Sequence, residues 1–375
     1  MIDWQSSKNA AFWNPKFSSD LQKELLGLLA SVEGQFQSHL FLLTSGTTAQ
    51  SSLDFKWVAI EKNALLASGV QVNRHLESNS TDVWLHPLPN FHVGGLGIWA
   101  RSYLSGAKVL PMVEGWSVSA FLRIIESHSV TLTAFVPTQV YDLVNLGIQS
   151  PPSLRAAVVG GGALSPVLFQ RALQLGWPLL PSYGMTETGS QIATAALNSQ
   201  DGLLEILPHL EVQETSERVL KVRGKSLFSS YIYRRNDQVI CDDPKKNGWF
   251  YSQDRGQKLG NQLKILGRLG DFVKIGGESV ELEKLRVILD QVQGEEKISA
   301  DIALLAVPDE RLGHVIHLVS DARLSLVDAT QLMERYNACV LGFEKVRKWH
   351  SLTRLPRTEL GKLIASACLR EIEGS

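Results

Sequence analysis

The sequence predicts an α/β protein. It indicates a large N-terminal domain with mostly parallel sheets flanked by helices, a small β-barrel-like part, and a small α+β domain at the C-terminal end. From Asp82 to Tyr183 short apolar runs alternate with amphipathic stretches, which is typical of parallel strands covered by helices. After about Asn198 β-type segments follow one another without long helices, and beyond Arg268 helices and strands mix again. We therefore expect two domains, 1–269 and 270–375.

The composition limits the classes of protein to consider. Of the 375 residues, 44% are hydrophobic and 20% are charged, a balance that excludes disordered, collagen-like and coiled-coil chains. The formal net charge of −1 predicts no general attraction to nucleic acid or to an anionic membrane. Three scattered cysteines without a CxxC pair argue against a disulfide framework or a zinc knuckle. With no visible secretory signal and no apolar run of about 20 residues, we expect a cytoplasmic protein without a membrane span.

The elements of the first half follow in regular order. Hydrophobic patterning predicts strands at 83–85, 107–110, 131–136, 156–159 and 178–180, alternating with helices at 96–104, 118–128, 138–146 and 166–175. The last of these helices has the clearest local signals. Ser165 suits the cap position and Pro166 suits the first turn, while Leu168, Ala172 and Leu175 recur at helical spacing.

The second half has a different pattern of predicted elements, with few helices between the strands. It predicts β segments at 203–207, 218–222, 227–233, 249–258 and 262–266. The turn Leu259-Gly260-Asn261 joins the last two of them as a hairpin. Near the C-terminal end the pattern predicts helices at 281–289 and 328–337 and strands at 302–307 and 315–319.

A hydroxyl-rich turn, Thr44-Ser45-Gly46-Thr47-Thr48, comes directly after the apolar run 40–43 and is expected to leave a strand. Four hydroxyls around one glycine can bind phosphate oxygens together with backbone N–H groups. Such turns also occur without a ligand, and the motif is not a Walker A loop. Lys56 lies further along the chain and would add positive charge.

Two more motifs follow strands of the predicted parallel sheet, where sheets of this class bind ligands. In Tyr183-Gly184-Met185-Thr186-Glu187, the glutamate offers an oxygen ligand for Mg²⁺, the threonine a phosphate-facing hydroxyl and the tyrosine a flat face for a base. The run Gly160-Gly161-Gly162 would let a flat ligand lie against bare backbone. A solvated turn and a plain strand-to-helix turn are the alternative interpretations.

Charged residues of the second half add to these motifs. Asp254 lies on a predicted hairpin, where a carboxylate can accept hydrogen bonds from both hydroxyls of a ribose. Arg268 follows in Gly267-Arg-Leu-Gly-Asp271, at the point where the texture changes. Lys362 ends the segment Pro356-Arg-Thr-Glu-Leu-Gly-Lys362. A single late lysine is by itself more often a solvated surface charge.

In their order and spacing, these motifs resemble the adenylate-forming superfamily of acyl-CoA synthetases, adenylation domains and luciferases, from Leu43 to the C-terminal tail. Leu88-Pro-Asn-Phe-His92 and the segment 307–313 also match this family. The stretch 134–141 is similar to the o-succinylbenzoate–CoA ligase branch, which serves menaquinone biosynthesis. The resemblance implies that a carboxylate attacks the α-phosphorus of ATP and that pyrophosphate leaves. The acyl group then passes from the adenylate to coenzyme A.

The resemblance also implies a role for each matching residue. The expected ATP-binding residues are Thr44, Ser45, Gly46, Thr47 and Thr48 at the β- and γ-phosphates, Gly161, Gly162, Tyr183 and Gly184 around adenine, and Asp254 and Arg268 at the ribose. Thr186 is expected to contact phosphate and Glu187 to hold Mg²⁺. Lys362 is expected to reach the reacting oxygens from a mobile C-terminal domain hinged at Gly270. The expected acyl-pocket residues are His92, Val136, Thr138 and Gln191.

Four features depart from the family pattern, and one of them is Gly270 at a hinge position that is normally Asp or Lys. The phosphate loop continues with Ala49 and Gln50 and lacks its usual second glycine, which leaves the role of Lys56 open. The usual Thr-Gly before the ribose aspartate is Ser252-Gln253. Only 43 residues precede Thr44, so we expect a reduced N-terminal part.

Other functions stay open at this point. The chain could be another aryl- or fatty-acyl-CoA ligase, a stand-alone adenylation enzyme that loads a carrier protein, or a non-catalytic binding member of the family. Retention of Glu187, Asp254, Arg268 and Lys362 argues against the last of these. The expected partners are a small carboxylic acid, ATP and coenzyme A, with no nucleic acid. A homodimer stays open.

Overall fold

The structure is a computed structural model that describes residues 2–45, 55–113, 115–236, 238–269, 272–275, 278–309, 311–358 and 361–373. Its helices are α1 Ser19–Ala30, α2 Lys62–His75, α3 Val93–Ser105, α4 Val118–His128, α5 Pro137–Asn145, α6 Pro166–Gln174, α7 Leu282–Glu295, α8 Leu326–Ala338 and α9 Ala365–Glu373. The strands of the first half are β1 Ala10–Phe12, β2 His39–Ser45, β3 Phe55–Glu61, β4 Val83–His86, β5 Lys108–Pro111, β6 Leu132–Phe135, β7 Ala156–Val159, β8 Leu179–Met185 and β9 Ser190–Ala195. The later strands are β10 Leu204–Ile206, β11 Leu210–Glu214, β12 Val219–Gly224, β13 Ser230–Arg235, β14 Gln238–Asp242, β15 Phe250–Leu259, β16 Gln262–Arg268, β17 Phe272–Ile275, β18 Glu278–Glu281, β19 Ile302–Asp309, β20 Gly313–Ser320 and β21 Val346–Ser351.

The first sheet has the strand order β1-β2-β3-β13-β14. Strand β1 runs parallel to β2, and the other neighbours are antiparallel. Helix α1 covers one face through buried Leu25, Leu28 and Leu29, which share a hydrophobic cluster with Trp57 of β3. The indole N–H of Trp57 donates to the Leu25 carbonyl oxygen at 3.1 Å. This sheet holds β2 and β3, whose ends flank the predicted phosphate loop.

The second sheet corrects the prediction of mostly parallel sheets. Its strand order is β11-β12-β15-β16-β10-β9-β8-β7-β6-β4-β5. Only the segment from β8 to β5 is parallel. On its other side β8 pairs antiparallel with β9, and four of the five β segments predicted for the barrel-like part continue the same sheet. The fifth, at 227–233, corresponds to β13 of the first sheet. Gly184 allows this junction because a Cβ there would overlap the Ser190 carbonyl. The α/β class is confirmed, with a mixed rather than mostly parallel sheet.

The parallel segment is covered on both faces. On one face α4, α5 and α6 pack on an aromatic cluster in which Phe121 lies 5.2 Å from Phe135 and 6.2 Å from Trp177 between ring centroids. On the other face α2 and α3 contribute to a second apolar cluster. The predicted signals of α6 are confirmed, because the Ser165 hydroxyl accepts the Leu168 N–H at 3.4 Å and Pro166 opens the helix.

The third sheet has the order β18-β17-β20-β19, with β21 added alongside β20. Helices α7 and α8 pack on it and close a hydrophobic cluster of their own, which includes Leu285, Leu332 and Tyr336. The helices and strands predicted for this part are present with longer bounds. Gly270, the predicted hinge, lies outside the described residues, so the division into two domains stays a prediction. None of the described helices is long and apolar enough to cross a membrane.

Candidate active site

Four of the predicted motifs meet at one edge of the parallel sheet. Strands β4, β6, β7 and β8 are neighbours that run in the same direction. His92 follows β4, Val136 and Thr138 follow β6, the glycine run follows β7, and Glu187 follows β8. The carboxyl edge of such a sheet is where ligands bind in this class of fold. One boundary differs from the prediction, because Tyr183 and Gly184 lie inside β8 rather than beyond it.

Tyr183, Asp254 and Arg268 form one polar group beside this edge. The Tyr183 hydroxyl donates to Oδ2 of Asp254 at 2.8 Å, and Nε of Arg268 lies 3.5 Å from Oδ1. Asp254 and Arg268 are cross-strand partners in β15 and β16. Burial and, next, the Asp254 carboxylate raise the pKa of Tyr183 well above its usual value. The phenol is therefore a neutral donor, and Asp254 is a fixed acceptor suited to a vicinal diol.

Ser252 fixes the backbone at Asp254. Its buried hydroxyl accepts the Asp254 N–H at 3.1 Å and lies 2.9 Å from the Leu220 carbonyl oxygen, to which it donates. The serine thus links β15 to β12 next to the acidic residue. The departure Ser252-Gln253 from the usual Thr-Gly keeps a hydroxyl at the position that orients Asp254.

The glycine run lies between the loops that follow β6 and β8. A Cβ at Gly160 would lie 3.0 Å from the Ser182 hydroxyl, and one at Gly162 would lie 3.6 Å from Pro137. Gly161 has φ +81°, a left-handed conformation that glycine adopts without strain. Gly161 and Gly162 are exposed. The arrangement offers exposed backbone directly after β7, the strand that pairs with β8, which carries Tyr183.

Glu187 is held from the first sheet. The Tyr231 hydroxyl donates to Oε1 of Glu187 at 2.7 Å, and the Phe228 N–H donates to the Glu187 carbonyl oxygen at 2.9 Å. Burial, followed by the Glu187 charge, raises the pKa of Tyr231 far above its usual value. Tyr231 was not singled out from the sequence, where it reads only as a strand residue. What reveals its role is the pairing of its strand, β13, with β3, and this pairing is visible only in the structure.

Lys56 lies against the same tyrosine. Its Nζ is 5.3 Å from the ring centroids of Tyr231 and Tyr233. The Thr44 hydroxyl donates to the Lys56 carbonyl oxygen at 3.3 Å, which ties the end of β2 to β3. Ser45 is the last residue of β2. The other predicted phosphate-loop residues, Gly46, Thr47 and Thr48, lie outside the described residues.

A single carboxylate fits the predicted magnesium role. Mg²⁺ is usually held by one or two carboxylates together with substrate phosphates and water, not by a cage of protein ligands. Among the described residues, no group of three or more His, Cys, Asp and Glu side chains could hold a metal ion. Glu187, oriented by Tyr231 and preceded by Thr186, is suited to hold Mg²⁺ as a single carboxylate together with substrate phosphates and water.

The predicted acyl-pocket residues have different surroundings. His92 is half-buried at the N-cap of α3, with its ring 4.6 Å from Phe91. Val136 is buried and Thr138 half-buried where β6 passes into α5. Gln191 is buried in β9, and its amide oxygen accepts a hydrogen bond from the Thr194 hydroxyl.

The side chain of Gln139, two residues before Tyr141, forms its hydrogen bonds at the start of its own helix, α5. Its Oε1 accepts the Val136 N–H at 3.0 Å, and its Nε2 donates to the Pro87 carbonyl oxygen at 3.5 Å. An amide engaged at the first turn of α5 is a local cap rather than a polar partner for an acyl group.

Arg101 is a buried residue that the sequence pattern did not reveal. It is 2% exposed, and its Nη2 lies 3.4 Å from the hydroxyl of Ser190, which follows the turn Thr186–Thr188 by two residues. Its guanidinium carbon is 5.6 Å from the Trp84 ring centroid. Within the described residues, Nε and Nη1 of Arg101 and Nε1 of Trp84 have no hydrogen-bond partner.

Burial lowers the pKa of Arg101 to about 10, so it stays charged at neutral pH. A buried charge without a counterion costs several kcal/mol, and an acceptor placed among these three donors would offset that cost. The signal in the sequence is an arginine inside the apolar run 93–104 of α3. That run was interpreted only as helix packing.

Lys362 lies on a tight loop that contacts α5. The Lys362 N–H donates to the Thr358 hydroxyl at 3.1 Å, and the Thr358 N–H donates to the Lys362 carbonyl oxygen at 2.8 Å. Gly361 has φ +77°, and a Cβ there would overlap the side chain of Thr138. The loop that carries Lys362 is thus seated on the start of α5, beside the sheet edge that the other motifs share.

The geometry is that of an α/β fold whose hydroxyl, carboxylate and glycine motifs are grouped at the carboxyl edge of the parallel segment of a mixed sheet. Residues 31–217 match the family described as AMP-binding enzyme. The chain belongs to the AMP-binding, adenylate-forming superfamily and is an AMP-forming acyl-CoA ligase family enzyme.

Curated and solved relatives agree with one another. The chain is 26% identical over 334 residues to the 2-succinylbenzoate–CoA ligase of Staphylococcus epidermidis, covering 86% of this chain and 67% of that protein. It is similar to o-succinylbenzoate CoA synthetase (MenE) from Bacillus subtilis in complex with the acyl-adenylate OSB-AMP, with a TM-score of 0.75, 26% identity and coverage of 88% of this chain and 68% of that one. The same Bacillus subtilis protein in complex with ATP and magnesium ion matches with a TM-score of 0.71, 26% identity and coverage of 87% and 69%.

Proposed function

We propose that this chain ligates o-succinylbenzoate to coenzyme A through an acyl-adenylate, as its relatives' names state for them. The observation that carries the choice of acid is Arg101, a buried cation with two nitrogen atoms that have no hydrogen-bond partner in the described residues. An acid with two carboxylates can present one to ATP and leave the other for this guanidinium. The cytoplasmic location and the menaquinone pathway belong to the same proposal.

The buried charge of Arg101 favours an acid with two carboxylates over an acid with one. A carboxylate that pairs with a buried guanidinium forms a strong charge-assisted bond. A fatty acid has no second anion and would leave Arg101 unpaired, at a cost of about 1–3 kcal/mol or more. The Trp84 N–H, also without a partner among the described groups, would donate to the same carboxylate or to the keto oxygen beside it.

Each part of ATP has its own binding residues in the proposed chemistry. Asp254, oriented by Tyr183 and Ser252, accepts hydrogen bonds from the ribose hydroxyls, while Gly161 and Gly162 leave room for adenine. Thr44, Ser45 and the loop that follows bind the phosphates, with Lys56 at their side. The acid is already ionised at neutral pH and needs no base. Glu187, together with the phosphates of ATP, would hold Mg²⁺, which when bound would supply positive charge to offset the charge growing on the phosphate oxygens.

Lys362 is proposed to act in the first half-reaction only. Its charge stabilises the oxygens of the bond that forms while pyrophosphate departs. The C-terminal domain, turning about Gly270, then clears the loop from the site and admits the thiol of coenzyme A. His92, at the start of α3, is proposed to lie between the adenylate and the acyl group.

The test measures pyrophosphate release with and without coenzyme A for o-succinylbenzoate, benzoate, 4-phenylbutyrate and fatty acids. We expect kcat/KM to be highest for o-succinylbenzoate, with thioester formed from free coenzyme A. In Arg101→Met we expect that preference to fall at least tenfold, while Arg101→Lys retains part of it.

Other results would change the assignment. Higher kcat/KM for a fatty or monocarboxylic aryl acid makes the chain another acyl-CoA ligase. Adenylate formation without thioester from free coenzyme A indicates carrier-protein loading. Nucleotide binding without any pyrophosphate release indicates a non-catalytic member.

A further inference from the structure

The C-terminal part with the third sheet rests on α5 and α6 through a small set of contacts. The Tyr141 hydroxyl donates to the Ser299 carbonyl oxygen at 3.2 Å. Gly294 of α7 faces Val167 so closely that a Cβ there would lie 3.3 Å from that side chain. Together with the seat of Gly361 on α5, these contacts hold the Lys362 loop at the sheet edge. We call this arrangement the docked orientation.

Asp290 of α7 lies inside this interface. It lies one helical turn before Gly294, on the face of α7 that meets α6, and Ser165, the cap of α6, is close enough to act on its carboxyl. The charged groups that face it are Glu283 and Arg286 of α7 and Arg357 of the C-terminal loop. Arg286 lies 3.0 Å from Glu283, and Arg357 lies 2.6 Å from Asp301. Both cations therefore already have a carboxylate partner.

We propose that Asp290 is a positioning residue that opposes the docked orientation and so limits how long the Lys362 loop stays at the site. In the docked orientation its carboxylate lies between α7 and α6, and within the described residues Arg286 and Arg357 form their short ion pairs with other carboxylates. When the two parts separate, water solvates it. The proposal rests on the two-step function above, because only such a reaction needs the loop to leave within each cycle.

The direction of the pH dependence follows from the carboxyl group. Burial, as the largest cause, raises the pKa of Asp290 to about 6 in the docked orientation, from an ordinary value of 3.8. The docked orientation therefore binds the proton more tightly. Docking is strongest below pH 3.8, the ordinary pKa of the carboxyl group, and weakens as the pH rises from there to about 6. Two pKa units correspond to about a hundredfold in the docking equilibrium, of which roughly tenfold falls between pH 5 and pH 7.5.

The native cysteines allow a direct test in the full chain. Cys241 on β14 and Cys339 after α8 are exposed, one on each side of the interface, whereas Cys368 is buried. Spin labels on the two exposed thiols report the distance between the parts by pulsed electron paramagnetic resonance. The variants are Asp290→Asn, Asp290→Ala and, as a matched control on the exposed face of α8, Glu334→Gln.

In the unmodified sequence and in Glu334→Gln we expect the docked population, relative to the separated one, to fall roughly tenfold from pH 5 to pH 7.5. In Asp290→Asn and Asp290→Ala it should be high and independent of pH over that range. Burial lowers the pKa values of His317 and His350 below the ordinary 6.5, and a pH effect that persists in both Asp290 variants would be assigned to this histidine pair. Distance distributions that are the same for all variants at both pH values overturn the proposal.

The two half-reactions give a second readout. At pH 7.5 Asp290→Asn should keep adenylate formation and slow transfer from supplied acyl-adenylate to coenzyme A about tenfold or more. Equal rates of both steps in the variant and the parent chain overturn the proposal. If no acid yields pyrophosphate, the proposed function fails, while the label distances still decide whether Asp290 controls docking.

Discussion

At the scale of single residues, most of the candidate site consists of side chains held by a neighbour rather than by the backbone alone. Asp254 is oriented by Tyr183 and Ser252, and Glu187 by Tyr231. The sequence motifs predicted the two acids but not the residues that orient them. Tyr231 and Arg101 come from elements distant in the chain. An arginine inside an apolar run indicates a buried charge but does not show which site it serves, and no local pattern distinguishes Tyr231 from other strand tyrosines.

Lys362→Ala tests the most exposed of the proposed catalytic residues. Loss of a positioned charge from a transition state typically costs about 3–4 kcal/mol, so adenylate formation should fall by two to three decades. Transfer from supplied acyl-adenylate to coenzyme A should keep most of its rate. Pyrophosphate release and thioester formation, measured separately, check this, and equal losses in both steps would contradict the role.

Tyr231→Phe tests the support of Glu187. The variant removes the hydrogen bond to the carboxylate but keeps a ring beside Lys56. We expect the Mg²⁺ concentration at half-maximal adenylation to rise about tenfold, which matches a hydrogen bond to a charged group worth about 1.5 kcal/mol. Tyr233→Phe is the matched control, since Tyr233 also contacts Lys56. Equal effects of the two variants would argue against a role of Tyr231 through Glu187.

At the scale of elements, the sequence predicted best where one pattern repeats. The helix at 118–128 and the strand at 156–159 agree with α4 and β7 residue for residue. Strand β9 was not predicted, because every residue from Ser190 to Ala195 is buried and no alternation remains to mark it. Its polar side chains find partners inside the protein, as Thr194 does with Gln191. Tertiary contacts, not local propensity, therefore define the junction of β8 and β9.

Gly184→Ala tests that junction. A Cβ at this position would overlap the Ser190 carbonyl, so β8 and β9 would have to separate. We expect the free energy of unfolding to fall by about 1–3 kcal/mol or more. Gly27→Ala in α1 is the control, because a Cβ there meets nothing within 4 Å, and it should raise stability by about 0.5–1 kcal/mol. Urea denaturation measures both, and a stable Gly184→Ala would show that the junction tolerates a side chain.

Gly361→Ala tests how the Lys362 loop is seated on α5. The glycine has φ +77°, and a methyl group there would overlap Thr138. Adenylate formation should fall at least tenfold while transfer to coenzyme A changes little. Gly342→Ala, with open space around it, should leave both steps unchanged. A Gly361→Ala chain with normal adenylation would mean that the loop works without this contact.

At the scale of the whole molecule, the two parts were predicted from a change of texture near Arg268, and the third sheet does have a hydrophobic cluster of its own. The orientation of the parts could not be predicted. It depends on a few contacts that α5 and α6 make with α7 and with the segment after α7. Residues such as Tyr141, which bonds to Ser299, look like ordinary helix surface in the sequence. An interface this small suits an orientation that changes during a reaction cycle.

Gly270→Pro tests the proposed movement as a whole. The described chain leaves β16 at Arg268 and enters β17 at Phe272, so any rotation between the parts must be taken up within this short connection. Proline fixes φ near −65° and removes that freedom. If the two half-reactions need different orientations, a restricted connection should impair one of them more than the other. Adenylation is expected to be the better preserved, because the docked orientation already seats the Lys362 loop on α5. Gly270→Ala is the comparison that retains more rotation, and its transfer rate should lie between those of the parent chain and Gly270→Pro. Single-turnover rates of both steps decide the matter, and unchanged rates in Gly270→Pro would move the hinge to another residue.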